Sequence, residues 1–206
     1  MSTSEVSMCN MALSRVGGRP IASLTEESTE ALHCRTFYDQ VRDETLRAHR
    51  WSFATRREAL AELGDAPTGW AYRYAAPVDC LLAREIVRPH TSMPAIRYRL
   101  ENDVTAGRVL LTDQPQATLL YTARITDPAL FDVSFVGALT WALAAAVALP
   151  IGATETMQRN AQQMAAYMLG LAQASDAAED GVMVIDHEPD WIAARGAGRC
   201  DWQGWR

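Results

Sequence analysis

The chain has 206 residues, enough for one large domain or a domain with an insertion. A hydrophobic content of 49% with 21% charged residues excludes wholesale disorder. A net charge of −6 argues against a protein built chiefly to grip nucleic acid. All 19 basic side chains are arginine. Without lysine there is no Schiff-base chemistry, no lysine-held cofactor aldehyde and no Gly-Lys-Ser/Thr phosphate loop. The four cysteines, Cys9, Cys34, Cys80 and Cys200, are widely spaced and form no C-x-x-C pair. They fit a reducing compartment better than a disulfide framework. The start, Met-Ser-Thr-Ser-Glu, lacks the basic and apolar regions of a secretion signal.

In chain order, Ser4 is expected to cap a first helix running to about Val16, with Val6, Cys9, Leu13 and Val16 inward. Gly17-Gly18 stops it, and residues 19–27 form a connector. Thr25 or Ser28 caps a second helix. Ala31, Cys34, Phe37, Tyr38, Val41, Thr45 and Ala48 make its apolar stripe, with Asp39, Asp43, Arg47 and Arg50 facing away and Asp43 paired to Arg47. Trp51 and Phe53 bracket one small residue, so a change from helical to strand period is expected there. Phe37, Tyr38, Trp51 and Phe53 therefore form the expected junction between a helical and a β layer.

Short alternating runs follow, from Ser52 to Ile125. Strands are expected at Trp70–Tyr74, Cys80–Val87, Ile96–Leu100, Arg108–Thr112 and Gln116–Ile125. Turns are expected at Pro77–Asp79, Asn102-Asp103, Ala106-Gly107 and Gln114-Pro115. Asp127-Pro128 is expected to open a third helix, apolar from Phe135 to Leu149 and containing Trp141. That run is too short for a membrane span, which needs roughly 18 apolar residues, and fits a central bundle helix. Its alanines permit close helix approach, as a subunit contact would require. Thr154 caps a fourth helix with Met157, Ala161, Met164, Met168 and Leu171 on one seam, fading near Asp176 to Gly181.

The fold class is thus α+β. A bundle of about four helices, from residues 1–51 and 127–180, carries an inserted, small, mostly antiparallel β domain at 52–126. An extended C-terminal tail occupies 181–206, where Trp191, Trp202 and Trp205 alternate with Arg195, Arg199 and Arg206. The tail either folds back or docks on a neighbour, and its Trp and Arg content favours the neighbour. The expected partner-facing residues are Trp141, Met157, Met164, Met168, Trp191, Arg195, Trp202 and Trp205.

No catalytic site, cofactor or metal is expected. Asp186, His187, Glu188 and Asp190 lie on consecutive positions that diverge, and read as a solvated acidic stretch rather than a metal site. Gly196-Ala197-Gly198 lacks the strand and third glycine of a dinucleotide fingerprint. There is no G-x-S-x-G, and no cysteine has a catalytic signature. His49 stands among cations at a helix end, where histidine serves the last carbonyls. Arg56-Arg57 and the arginines of the second helix read as a salt-bridged surface.

Several stretches resemble the tail tubular protein A family, the head-to-tail adaptors of short-tailed phages and related prophages. The likeness rests on Asn10-Met11-Ala12-Leu13, Ile21, Ser23-Leu24, Phe37-Tyr38 and Arg42-Asp43. It is densest in Leu46-Arg47-Ala48-His49-Arg50-Trp51-Ser52-Phe53-Ala54, and continues through Pro77-Val78-Asp79-Cys80, Tyr121 to Phe131 and the apolar helix with Trp141. It spans residues 8–175. The resemblance implies a non-enzymatic ring, dodecameric in that family, between the portal protein and the tail nozzle. The genome would pass through its lumen without sequence-specific binding. A location in the virion tail at the head–tail interface, synthesis in the host cytoplasm and no membrane contact follow as expectations. The alternative is a cellular helical DNA-binding or regulatory protein.

Overall fold

The computed structural model describes residues 4–88, 90 and 94–179. Helix α1 (Glu5–Arg15) starts where the Ser4 hydroxyl accepts from the Ser7 amide at 3.1 Å. It stops at Gly17, whose φ of +73° only glycine adopts without strain. Gly18 follows because a Cβ there would stand 2.9 Å from Leu13 and Ile151 side chains. The connector is pinned by Asn10, whose side-chain amide donates to the Ile21 carbonyl (2.9 Å) and accepts from its N–H (2.8 Å).

Ser28, not Thr25, caps α2 (Thr29–Ala48) through the Ala31 amide. The buried stripe runs through Ala31, Cys34, Tyr38, Val41, Arg42, Thr45 and Leu46. Phe37 is half-buried and Ala48 exposed, so the stripe is rotated from the expected one. The rotation lets α2 face α3 on one side and strands on the other. It also buries Arg42, which is tolerable because Asp39 (2.7 Å) and Asp43 (2.8 Å) neutralise it. Asp43 therefore pairs with Arg42 and Arg124 instead of Arg47, which donates to the Leu81 carbonyl.

Trp51 and Phe53 do not begin a strand. Ser52–Ala54 is one turn of 3-10 helix, and β1 (Thr55–Ala59) starts after it. The remaining strands are β2 (Tyr72–Ala75), β3 (Cys80–Ile86), β4 (Tyr98–Asp103), β5 (Gly107–Thr112) and β6 (Thr118–Ala123). They form two antiparallel sheets, β1-β6-β3 and β2-β5-β4. The two expected turns near 102–107 are one hairpin turn. There the Asp103 carboxylate accepts from the Thr105 and Ala106 amides, and that bonding holds its pKa below the usual range. Trp70 lies outside β2, covered by the Arg97 guanidinium at 4.6 Å.

The sheets meet along two seams. Beyond β1, Ala61 and Leu63 exchange backbone hydrogen bonds with β2. On the other side the Tyr98 hydroxyl of β4 reaches the Ala83 and Arg84 carbonyls of β3, 3.1 Å from each. Strand edges that would otherwise be open are thereby covered.

Asp127 caps only a short turn, Pro128–Leu130. The third helix, α3 (Val133–Val147), begins later because Phe131 is extended and turns its ring toward Phe53 and Phe135. Its cap is Asp132, which accepts from the Ser134 and Phe135 amides and from the Ser134 hydroxyl. Helix α4 (Glu155–Glu179) is capped by Thr154 and continues past Asp176. Helix α3 is the hub. It packs most extensively on α4, then on α2 and α1, and from Ser134 to Ala148 none of its residues is exposed. Ala138, Ala144 and Ala148 of its alanine-rich surface are buried within the chain, and Ala142, Ala145 and Ala146 are half-buried. One apolar core joins the helices to the β region. Among the described residues no helix is long and apolar enough to cross a membrane.

Two measurements check this account. Phe135→Ala removes a fully buried ring at the centre of the aromatic cluster and lowers stability by about 3–5 kcal/mol in urea denaturation. Asp132 is stabilised as a carboxylate, chiefly by the Ser134 hydroxyl, so its folded pKa lies below its unfolded value. Its contribution is present above the unfolded pKa and lost as pH falls through the folded one. Asp132→Ala accordingly costs about 1 kcal/mol at neutral pH, and denaturation curves show that cost shrinking in acid.

Candidate interaction surface

The residues of the densest likeness are brought together, and they are structural. Trp51 is fully buried and its indole N–H donates to the Thr45 carbonyl at 2.9 Å. Its ring meets Phe135 at 5.2 Å and His49 at 5.0 Å, both edge-on. Phe53 packs on Phe135 at 5.0 Å and on Phe131 at 6.1 Å. Tyr38 is buried close to Arg42, and burial pushes its phenol above the ordinary range. Phe37, half-buried, stacks on His33.

His49 does not serve helix carbonyls with its ring. Its Nε2 lies 3.1 Å from a carboxylate oxygen of Asp176, which also accepts from the Ser52 amide at 3.0 Å. Asp176 is 7% exposed and sits near the end of α4. A carboxylate from the last helix thus closes the junction between α2 and β1. The sequence contained the signal: Ala161, Ala165, Met168, Ala172 and Asp176 follow a helical period that places Asp176 on the inner face.

The same geometry bears on chemistry. Among the described residues no group of His, Cys, Asp and Glu is placed to hold a metal ion. Tyr121 has its hydroxyl 3.0 Å from both Glu58 and Asp79. Burial first, then those carboxylates, raise its pKa, so it is a hydrogen-bond donor fixed in a strand crossing. Cys9 and Cys34 share a hydrogen bond between α1 and α2, which together with burial holds the Cys9 thiol far above its ordinary range. The Cys9 thiol and the Tyr121 phenol therefore keep their protons, while the bond from Cys9 pulls the Cys34 thiol below its ordinary range. Arg56 pairs with Asp79 at 2.6 Å, as expected of a salt-bridged surface, but Arg57, expected to share it, has no ion pair among the described residues. Asp186, His187, Glu188, Asp190, Trp191, Arg195, Trp202 and Trp205 lie outside the described residues.

The expected partner-facing residues separate. Trp141 is half-buried under the Arg15 guanidinium, 4.2 Å from its ring centre. Met168 is half-buried and faces Gly137 of α3, where an added Cβ would be 3.2 Å from its methyl. The inner seam of α4 runs through Ala161, Met168, Ala172 and Asp176, and Met157 and Leu171 leave it. They belong to a second, outer stripe. Met157, Met164, Tyr167, Leu171, Ala174 and Ala178 recur at steps of seven, then three and four. Met164 is half-buried and the others are exposed, Tyr167 by 60% and Leu171 by 48%. No described element covers this stripe. A small, mainly apolar cavity of about 130 Å³ is lined by Thr45 of α2, Ala138 and Ala142 of α3, and Ala165, Ala166 and Leu169 of α4. Two further valines, Val78 and Val104, stand fully exposed at β turns.

Compared with models of known protein families the chain matches none, and a search of curated proteins found no match.

Removing the closing carboxylate tests the junction. Asp176→Ala leaves the Ser52 amide and His49 unpartnered and costs about 1–3 kcal/mol in chemical denaturation. Asp176→Asn keeps one acceptor oxygen and recovers part of that loss.

Proposed function

We propose that the chain is a structural, non-enzymatic subunit that works by assembling: a head-to-tail adaptor of the tail tubular protein A type. In this reading copies form a ring, dodecameric by the family likeness, between the portal protein and the tail nozzle. The genome passes through the lumen without sequence-specific contact, and no cofactor or metal takes part. The mature location is the virion tail, after synthesis in the host cytoplasm.

The observation that carries the proposal is the outer stripe of α4. A 25-residue helix with a heptad row of Met, Tyr, Leu and Ala facing outward has the composition of a helix awaiting a partner. Side-by-side packing of that face on a different surface of the next copy is heterologous, and such contacts close into a ring when the rotation permits. Of the residues that carry the resemblance, Asn10, Ile21, Tyr38, Arg42, Asp43 and Trp51 serve packing or hydrogen bonding within the chain. Helices build the ring in this scheme, while the β region and the C-terminal segment reach neighbouring copies or the nozzle.

One observation favours the alternative of a cellular DNA-binding or regulatory protein: Arg47, Arg50 and Arg84 gather on one side of the α2–β1 junction. Salt-sensitive binding of duplex DNA by the purified chain decides for that alternative.

Sedimentation of the purified chain tests the assembly reading. Leu171→Glu places a charge in the middle of the outer stripe. It abolishes the oligomer, or weakens it by about a hundredfold or more, with the helical content unchanged. Removing residues 182–206 impairs assembly and leaves the helical fold. An oligomer indifferent to both changes contradicts the assignment.

A further inference from the structure

Helix α4 ends beside an arginine-lined hollow, and charge complementarity identifies what fills it. The hollow has a volume of about 410 Å³ and is lined by Arg50, Ser52, Thr55 and Arg57. Arg57 is exposed and has no ion-pair or hydrogen-bond partner among the described residues. Arg50 reaches only Glu85, at 3.9 Å, and Glu85 is the same distance from Arg88. The Ser52 hydroxyl likewise has no partner among the described residues. Arg47 and Arg84 add to the positive potential. After burial, the nearness of Arg50 and then of Arg47 pushes the Arg84 guanidinium below its ordinary range. In a chain of net charge −6, this is a local concentration of unspent positive charge.

The end of α4 is held at the same place, because Asp176 accepts from the amide of Ser52, a residue of the hollow. Seven residues beyond Glu179 the sequence reads Asp186-His187-Glu188-Pro189-Asp190, with three carboxylates in five positions. Seven residues span at most about 25 Å, and Asp176 is already in contact. We propose that this acidic stretch of the chain's own C-terminal segment docks in the Arg50–Arg57 hollow. Its carboxylates pair with the two guanidinium groups and the Ser52 hydroxyl. This docking is independent of the ring: it concerns the single chain whether or not copies assemble.

The test is hydrogen exchange of the full-length chain, followed by mass spectrometry of peptides covering residues 182–191. Three variants are compared with wild type: Arg50→Gln with Arg57→Gln, Asp186→Asn with Glu188→Gln and Asp190→Asn, and both sets combined. All changed arginines are exposed, and unchanged exchange in α3 and α4 verifies the fold. Either set alone is expected to speed exchange in the segment by about tenfold, the scale of a few partly exposed ion pairs acting together. The combined variant exchanges no faster than either alone, as a double-mutant cycle requires for partners. Raised salt reproduces the effect in wild type. Equal exchange in wild type and every variant overturns the proposal. So does protection that disappears on dilution, which assigns the hollow to a second copy. Duplex DNA binding that is lost with Arg50 and Arg57, while segment exchange is unmoved, assigns it to nucleic acid and also overturns the proposal.

Discussion

The burial of Trp51 is the constraint on which this structure depends. An indole of that size can leave water only where three elements converge: its N–H needs an acceptor, and its faces need rings. The carbonyl of Thr45 supplies the acceptor from α2, Phe135 supplies a ring from α3, and the 3-10 turn that follows brings Phe53 into the same cluster. Asp176 then ties α4 to the backbone just beyond the indole. Three stretches distant in sequence, around residues 45–54, 135 and 176, are thereby fixed at one point, and the sheets grow outward from it through β1. Helix α3 occupies the centre because it alone is apolar enough to be surrounded.

Much of this was legible in the sequence, for physical reasons. Caps at Ser4 and Thr154, the glycine stop after Val16 and the helical periods announced three of the four helices within a few residues. The positions of β2 to β6 followed from alternation and turn residues, whereas β1, with four of its five residues exposed, carries no alternation to announce it. What the sequence obscured was tertiary. The Trp51-Ser52-Phe53 spacing suggests a strand, yet two aromatic residues two apart can enter one cluster when a tight turn joins them. Asp127-Pro128 carries a good start signal, but Phe131 is drawn into the core and delays the helix to Asp132. Arg42 looked like a solvent-facing cation, and only the flanking Asp39 and Asp43 make its burial affordable.

The same limit governs the candidate surface. Helix α4 has two apolar stripes, and a seam drawn from sequence through Met157, Met164, Met168 and Leu171 crosses from one to the other. Packing decides between them. Small alanines and Asp176 turn inward against α3 and the junction, while Met157, Tyr167 and Leu171 are left outside. Of the α3 alanines, Ala138, Ala144 and Ala148 are buried within the chain, while Ala142, Ala145 and Ala146 stay half-buried. What α4 leaves for a partner is consequently the outer stripe, with Tyr167 and Leu171 at its middle.

In the role proposed for it, the molecule works by being surrounded by others like it. Electron microscopy of the purified chain, imaged with and without the cognate portal protein, addresses that claim directly. The account predicts closed rings of uniform diameter seated coaxially on the portal, with α4 of each copy at the contact between neighbours. Isolated monomers at every concentration, with portal particles left bare, would contradict it.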